Sequence, residues 1–172
     1  FKGPALAVQA YGDLSMRSFC DLDILIHERD FDRMYSVLCN AGFEPKYLID
    51  NKSKRKLAII NNNFTFLDGE ISIDIHWRIV ERWLGLPIYT HQLFENSVVI
   101  FLDEQKFKTL KPEDVLILTC IHGMKHYWKE LRWLADLSHL MTYNQNVQWS
   151  EFLNRIEELH AKRIFNLGLL LA

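Results

Sequence analysis

Three aspartates carry the spacing that points to chemistry in this sequence: Asp21 and Asp23, two positions apart, and Asp74. Each sits in an alternating stretch. The first reads Asp21-Leu22-Asp23-Ile24-Leu25-Ile26-His27 and the second Glu70-Ile71-Ser72-Ile73-Asp74-Ile75-His76-Trp77. Alternation of this length marks a half-buried strand, and on a strand residues i and i+2 leave the same face about 7 Å apart. Two carboxylates so placed repel each other, which favours the protonated form. A divalent cation relieves the conflict. Hard oxygen ligands on a rigid strand suit Mg²⁺, which keeps positions open for water and phosphate. With the second strand beside the first, Asp74 adds a third carboxylate, and three acids fit a two-metal site for phosphoryl chemistry. The same alternation also describes the solvent faces of two half-exposed strands, and the residues alone leave both readings open.

These carboxylates need elements to hold them. Pro4 opens a helix over 4–11, and Gly12 ends it. In the strand at 21–27, Leu22, Ile24 and Ile26 take one face, and Asp21, Asp23, Leu25 and His27 the other. An amphipathic helix over 29–41 has Phe31, Met34, Tyr35 and Leu38 on one stripe and stops at Gly42. Strands are expected near 43–49, at 57–60 and at 64–67, with a turn at Asn61–Asn63 and a hairpin turn at Asp68–Gly69. In the returning strand, 70–77, Ile71, Ile73, Ile75 and Trp77 oppose Glu70, Ser72, Asp74 and His76, and 97–102 reads as a further buried strand. Beyond residue 110 the chain reads as helix, over 112–127, 130–142, 149–159 and 161–172. Pro112, Glu113 and Asp114 suit the first turn of the leading helix. A mixed sheet followed by a helical bundle is an α+β pattern. It divides into a sheet part, 1–110, and a helical part, 111–172, the second read as cut short.

The 172 residues allow one domain, or one core with a helical extension. A hydrophobic share of 49% and a charged share of 24% exclude disorder, collagen and a channel. No apolar run reaches the ~18 residues of a spanning helix, so no membrane partner is expected. Twenty basic and 22 acidic residues give a net charge of −2, which argues against a dedicated DNA-coating protein. Cys20, Cys39 and Cys120 form no CxxC pair and read as reduced thiols of a cytoplasmic protein. Nothing fixes an oligomeric state. The start at Phe1 and the apolar end, Leu167 to Ala172, read as trimmed from a longer chain.

Several motifs follow one another along the chain. They are Phe1-Lys2-Gly3-Pro4-Ala5-Leu6, Tyr11-Gly12, Arg17, Asp21 to Ile26 and Ile73-Asp74-Ile75-His76-Trp77. His122-x-x-x-His126-x-Trp128 and Trp133-Leu134-x-Asp136-Leu137 complete the set. In this order the chain resembles the nucleotidyltransferases of the DNA polymerase β superfamily, and more closely their poorly characterised bacterial branch. The resemblance implies a polymerase-β-like mixed sheet with flanking helices and a C-terminal helical bundle. It implies binding of a nucleoside triphosphate, ATP among the candidates, with two Mg²⁺ ions, for which Mn²⁺ can substitute. The nucleoside monophosphate passes to an acceptor hydroxyl, and pyrophosphate leaves. By position Asp21 and Asp23 hold the metals. Asp74 holds the second metal and orients or deprotonates the acceptor. Gly3 lets the backbone approach the phosphates. The superfamily's usual Gly-Ser or Gly-Gly is Lys2-Gly3 here, as it is in the branch, and Lys2 offers a point charge to a phosphate. Arg17 pairs a phosphate or braces Asp21. The acceptor, whether small molecule, protein or RNA, is left open. The alternative is a catalytically silent nucleotide-sensing or partner-binding module on the same fold.

Four further features carry two readings each. His76 shares the face of Asp74 and contacts a phosphate or acceptor, or hydrogen-bonds Asp74. His122 and His126 share a helix face. Gly123 follows the first of them where a zinc protease has Glu, so they read as a packed pair or as the lining of a nucleotide or acceptor pocket, with Lys125 and Lys129 nearby. Asp136 lies among apolar residues and must be paired, with His122, His126 or Arg132 as candidates. That makes it a bridge between helices ahead of a catalytic group. Lys52–Lys56 reads as a solvated basic loop, or as a contact for a polyanionic acceptor. The five tryptophans read as core.

Overall fold

The computed structural model describes residues 1–48, 50, 60–143 and 147–172. Both alternating stretches are strands, β1 (Asp21–Leu25) and β4 (Ile71–His76), and they run parallel with Asp23 level with Asp74. β3 (Asn63–Asp68) pairs antiparallel with β4, and β2 (Glu44–Pro45) with β3, giving a four-stranded sheet in the order β1-β4-β3-β2. One face buries Phe64, Phe66, Ile73, Ile75 and Trp77 against α2 (Phe31–Asn40), whose Phe31 and Leu38 close this smaller core. Trp77 meets the Phe31 ring edge-on at 5.1 Å. Because side chains alternate, filling this face with isoleucines commits Asp21, Asp23, Asp74 and His76 to the other.

The larger core is helical. It joins Leu6 and Ala10 of α1 (Gly3–Tyr11) and Leu93 of α3 (Thr90–Glu95) to the C-terminal helices. Those helices are α4 (Pro112–Lys125), α5 (Leu131–Tyr143), α6 (Trp149–Glu158) and α7 (Lys162–Leu171). Leu116, Cys120, Leu137, Leu140, Phe152 and Phe165 are among its buried residues. The first-turn acids of α4 are buried and paired. Arg155 reaches Asp114 at 2.8 Å, and the Gln148 amide donates to Glu113 at 3.1 Å. Among the described residues no helix is long and apolar enough to cross a membrane.

The α+β class stands, with local corrections. The hairpin register pairs Asp68 with Ile71, so the two-residue turn is Gly69–Glu70 and not Asp68–Gly69. Gly69 has φ +55°, which suits a glycine in the first loop position. The strand near 43–49 shrinks to Glu44–Pro45, and residue 49 lies outside the described residues. Of the strand expected at 57–60 only Ile60 is described, and it is helical. The Lys52–Lys56 segment also lies outside the described residues.

The stretch at 97–102 is not a buried strand of the main sheet. β5 (Val98–Leu102) forms a separate two-stranded ribbon with β6 (Gln105–Thr109), and Val99 and Phe101 are exposed. A run such as Val98-Val99-Ile100-Phe101 has no polar alternation to reveal that one face is open. Trp77 and Trp133 are core, whereas Trp83 and Trp149 are exposed, so the tryptophans divide.

Candidate active site

The level register of β1 and β4 sets Asp23 beside Asp74, and His76 lies on the diagonal. Ligand atoms of Asp23, Asp74 and His76 all lie within 4.8 Å of one another. His76 Nε2 is 2.7 Å from Asp23 Oδ1. The histidine therefore supports Asp23 and not Asp74, the partner its strand neighbourhood suggested. Lys2 Nζ stands 3.9 Å from the same oxygen. Burial pushes the Asp23 carboxyl up, but the His76 hydrogen bond and the charges of Lys2 and His76 outweigh it and hold Asp23 below the ordinary range. Asp21 lies further out and is exposed. Partial desolvation, then the charges of Asp23 and Asp74, raise its pKa. Asp74 Oδ1 is buried and has no hydrogen-bond partner among the described residues. A buried carboxylate oxygen left free beside a second carboxylate fits a divalent cation.

Two cavities share this carboxylate wall. A cleft of 740 Å³ lies on the β4 side, where Asp74, His76, Asn63, Arg82, Trp83 and Lys125 join Asp21 and Asp23. Lys125 there is paired with Glu81. A smaller cavity of 300 Å³ lies on the α1 side, where Gly3, Arg17, His126, Lys129, Arg132 and Glu130 surround the same two aspartates, and Lys2 borders both cavities. Its cations suit an anion. A third cavity, of 370 Å³, between β1, α3 and the β5–β6 ribbon, also reaches Lys2 and Asp23 but is mainly apolar.

Gly3 has φ +50°, and a Cβ there would stand 3.1 Å from the Asp21 carbonyl oxygen. Glycine thus lets the start of α1 close onto β1, which brings Lys2 to Asp23. His122 borders both cavities. Its ring is 4.6 Å from His126, and Trp133 lies edge-on to it at 5.0 Å. Burial, with the charges of Lys2, His126 and Lys125, lowers the His122 pKa to about 3. His126 is lowered as well, by burial and then by Lys125 and Lys129.

A family model described as an uncharacterised nucleotidyltransferase matches residues 1–172. The chain belongs to that family. No curated protein matches it. Membership makes nucleoside triphosphate the substrate class and nucleotidyl transfer the class of reaction. In this nucleotidyltransferase the structure brings Asp23, Asp74, His76 and Lys2 together, with Asp21 exposed beside them and Gly3 buried at the start of α1. Arg17 does not brace Asp21; its Nε lies 3.0 and 3.1 Å from the two oxygens of Asp136. Tyr11 Oη donates to Asp136 at 2.9 Å, so neither histidine nor Arg132 pairs that acid. Arg132 pairs Glu130 instead. Sequence reasoning passed over Tyr11 as a partner because its contact spans 125 positions. It passed over Trp83 as a cleft residue because its indole looked like core.

Proposed function

We propose that this nucleotidyltransferase moves a nucleoside monophosphate from the α1 side of the carboxylate wall to an acceptor hydroxyl in the cleft on the β4 side. The observation that carries this reading is the level pair Asp23–Asp74, with a free buried oxygen on Asp74, lying between a cationic cavity and a larger cleft. Lys2 and Arg17 meet the triphosphate, and Gly3 admits it close to the backbone. Asp21, Asp23 and Asp74 are the residues to hold divalent cations, Mg²⁺ or Mn²⁺. Cations bound there neutralise the triphosphate and the departing pyrophosphate. His76 keeps Asp23 oriented and ionised. Asp74 orients the acceptor hydroxyl and takes its proton as the acceptor oxygen bonds to the α-phosphorus. The bond from that phosphorus to its bridging oxygen breaks, and pyrophosphate leaves with the electron pair.

The test uses each α-labelled nucleoside triphosphate with Mg²⁺ and hydroxyl-bearing small-molecule, protein and RNA fractions. It follows both label transfer and pyrophosphate release. Asp74→Asn should lose transfer by about 100-fold or more, the scale of a lost general base, and Asp21→Ala/Asp23→Ala should be inactive. Wild type that binds nucleotide but neither transfers label nor releases pyrophosphate marks the silent module instead. Equal activity in wild type and variants removes these carboxylates from the mechanism.

A further inference from the structure

The pair formed by Arg17 and Asp136 is buried, and its position suggests more than packing. Asp136 on α5 is 1% exposed, and the Arg17 side chain is 13% exposed. Arg17 follows α1 in the chain, and 119 positions separate it from its partner. A buried ion pair is a poor way to gain stability, since apolar residues of the same volume often serve as well or better. Its specific effect here is geometric. The Arg17 Nε donates to both carboxylate oxygens, and Tyr11 Oη donates to one of them, Oδ1. A guanidinium has five donors, so the terminal nitrogens are the part of Arg17 left to meet a ligand.

Arg17 lies in the wall of two adjoining cavities. One is the cationic cavity with Lys2, Gly3, Lys129 and Arg132. The other is a 40 Å³ pocket that Lys2, His122, Trp133 and Asp136 also line. A fork held at its Nε, with no hydrogen bond from its terminal nitrogens to a described residue, is the form in which arginine grips phosphate oxygens.

We propose that Asp136 is a positioning residue for the donor nucleotide: it aims the Arg17 guanidinium at the triphosphate held behind Lys2 and Gly3. The helical bundle thereby sets how tightly the sheet side holds its donor. This rests on the donor placement proposed above. It adds a residue that touches neither nucleotide nor reacting atoms.

The test measures dissociation constants for Mg²⁺-nucleoside triphosphate and for inorganic tripolyphosphate, with Mn²⁺ binding and melting temperature as separate readouts. Asp136→Asn keeps the shape of the side chain and one acceptor oxygen but loses the charge. Arg17→Lys keeps the charge but loses the fork. Each should weaken both phosphate ligands about tenfold, the loss of one charge-assisted contact, with Mn²⁺ affinity unchanged. The double variant should lose no more than either single one. Tyr11→Phe removes one bond to Asp136 and leaves the ion pair, so it should lower the melting temperature without moving the phosphate constants. If Asp136→Asn does not fold, Arg17→Lys and Tyr11→Phe still separate aiming from packing. Nucleotide binding that Arg17→Lys and Asp136→Asn leave intact, or weaken only as far as Tyr11→Phe does, overturns the positioning role and spares the donor reading. Wild type that binds neither phosphate ligand overturns both.

Discussion

His122 is kept neutral at pH values where an ordinary histidine begins to charge, and the sign of its contribution to stability follows. Its pKa falls from 6.5 unfolded to about 3 folded. Between those values the unfolded chain binds more protons than the folded one, so acid favours unfolding. The stability tied to neutral His122 is complete above pH 6.5 and is lost as pH falls toward 3. Melting curves from pH 7.5 down to 4 should therefore drop more steeply for wild type than for His122→Asn. Parallel curves would show that another group governs the acid limb. At this scale the sequence displayed the carboxylates but not their partners. Asp21, Asp23 and Asp74 are legible because an alternating strand must place them on one face. That His76 serves Asp23 depends on strand register. That Asp136 serves Arg17 and Tyr11 depends on a contact across more than a hundred positions, which no local pattern encodes.

Among the elements, two glycines have different tasks. Gly69 turns the β3–β4 hairpin at φ +55° with no atom within 4 Å of a would-be Cβ. Gly69→Ala should cost about 1–2 kcal/mol, all of it backbone strain, and Gly69→Asn less. Gly123, inside α4, faces the Trp128 ring, and a Cβ there would stand 2.4 Å from it. The chain reverses just after α4 through Tyr127 and Trp128 at φ 58° and 50°, which folds the indole back over the helix. Gly123→Ala should cost about 1–3 kcal/mol through overpacking, despite alanine's better helix propensity. Chemical denaturation in a Trp128→Leu background checks the cause, because the cost should vanish there. Periodicity showed where α2, α4, α5, α6 and α7 lie to within a few residues. Where apolar residues run without alternation, as in β5, the strand's place was legible but its open face was not. Periodicity missed α3, only six residues long, and β6, whose mostly exposed residues offer no apolar face.

At the scale of the whole molecule, the change of character near residue 110 is real in the sequence, since α4 begins at Pro112. The larger core crosses it, taking Leu6, Ala10, Val80, Leu93 and Leu110 from one side and helices α4 to α7 from the other. A chain ending at residue 110 should therefore lack cooperative thermal unfolding and bind no nucleotide. A sharp calorimetric transition in that fragment would show that the sheet stands alone. Composition could announce one core of this size, but not that α1 belongs to the bundle's core.

The parallel pairing of β1 with β4 also has a meaning in time. The β3–β4 hairpin and the helices close short loops, whereas Asp23 meets Asp74 only after some fifty intervening residues have been gathered in. Such distant pairings form slowly, because loop entropy is spent before any contact offsets it. A chain that has made its hairpin and helices therefore still lacks the carboxylate pair. During refolding, the Asp23–Asp74 pair should assemble only with this distant pairing, after most of the helical signal has returned.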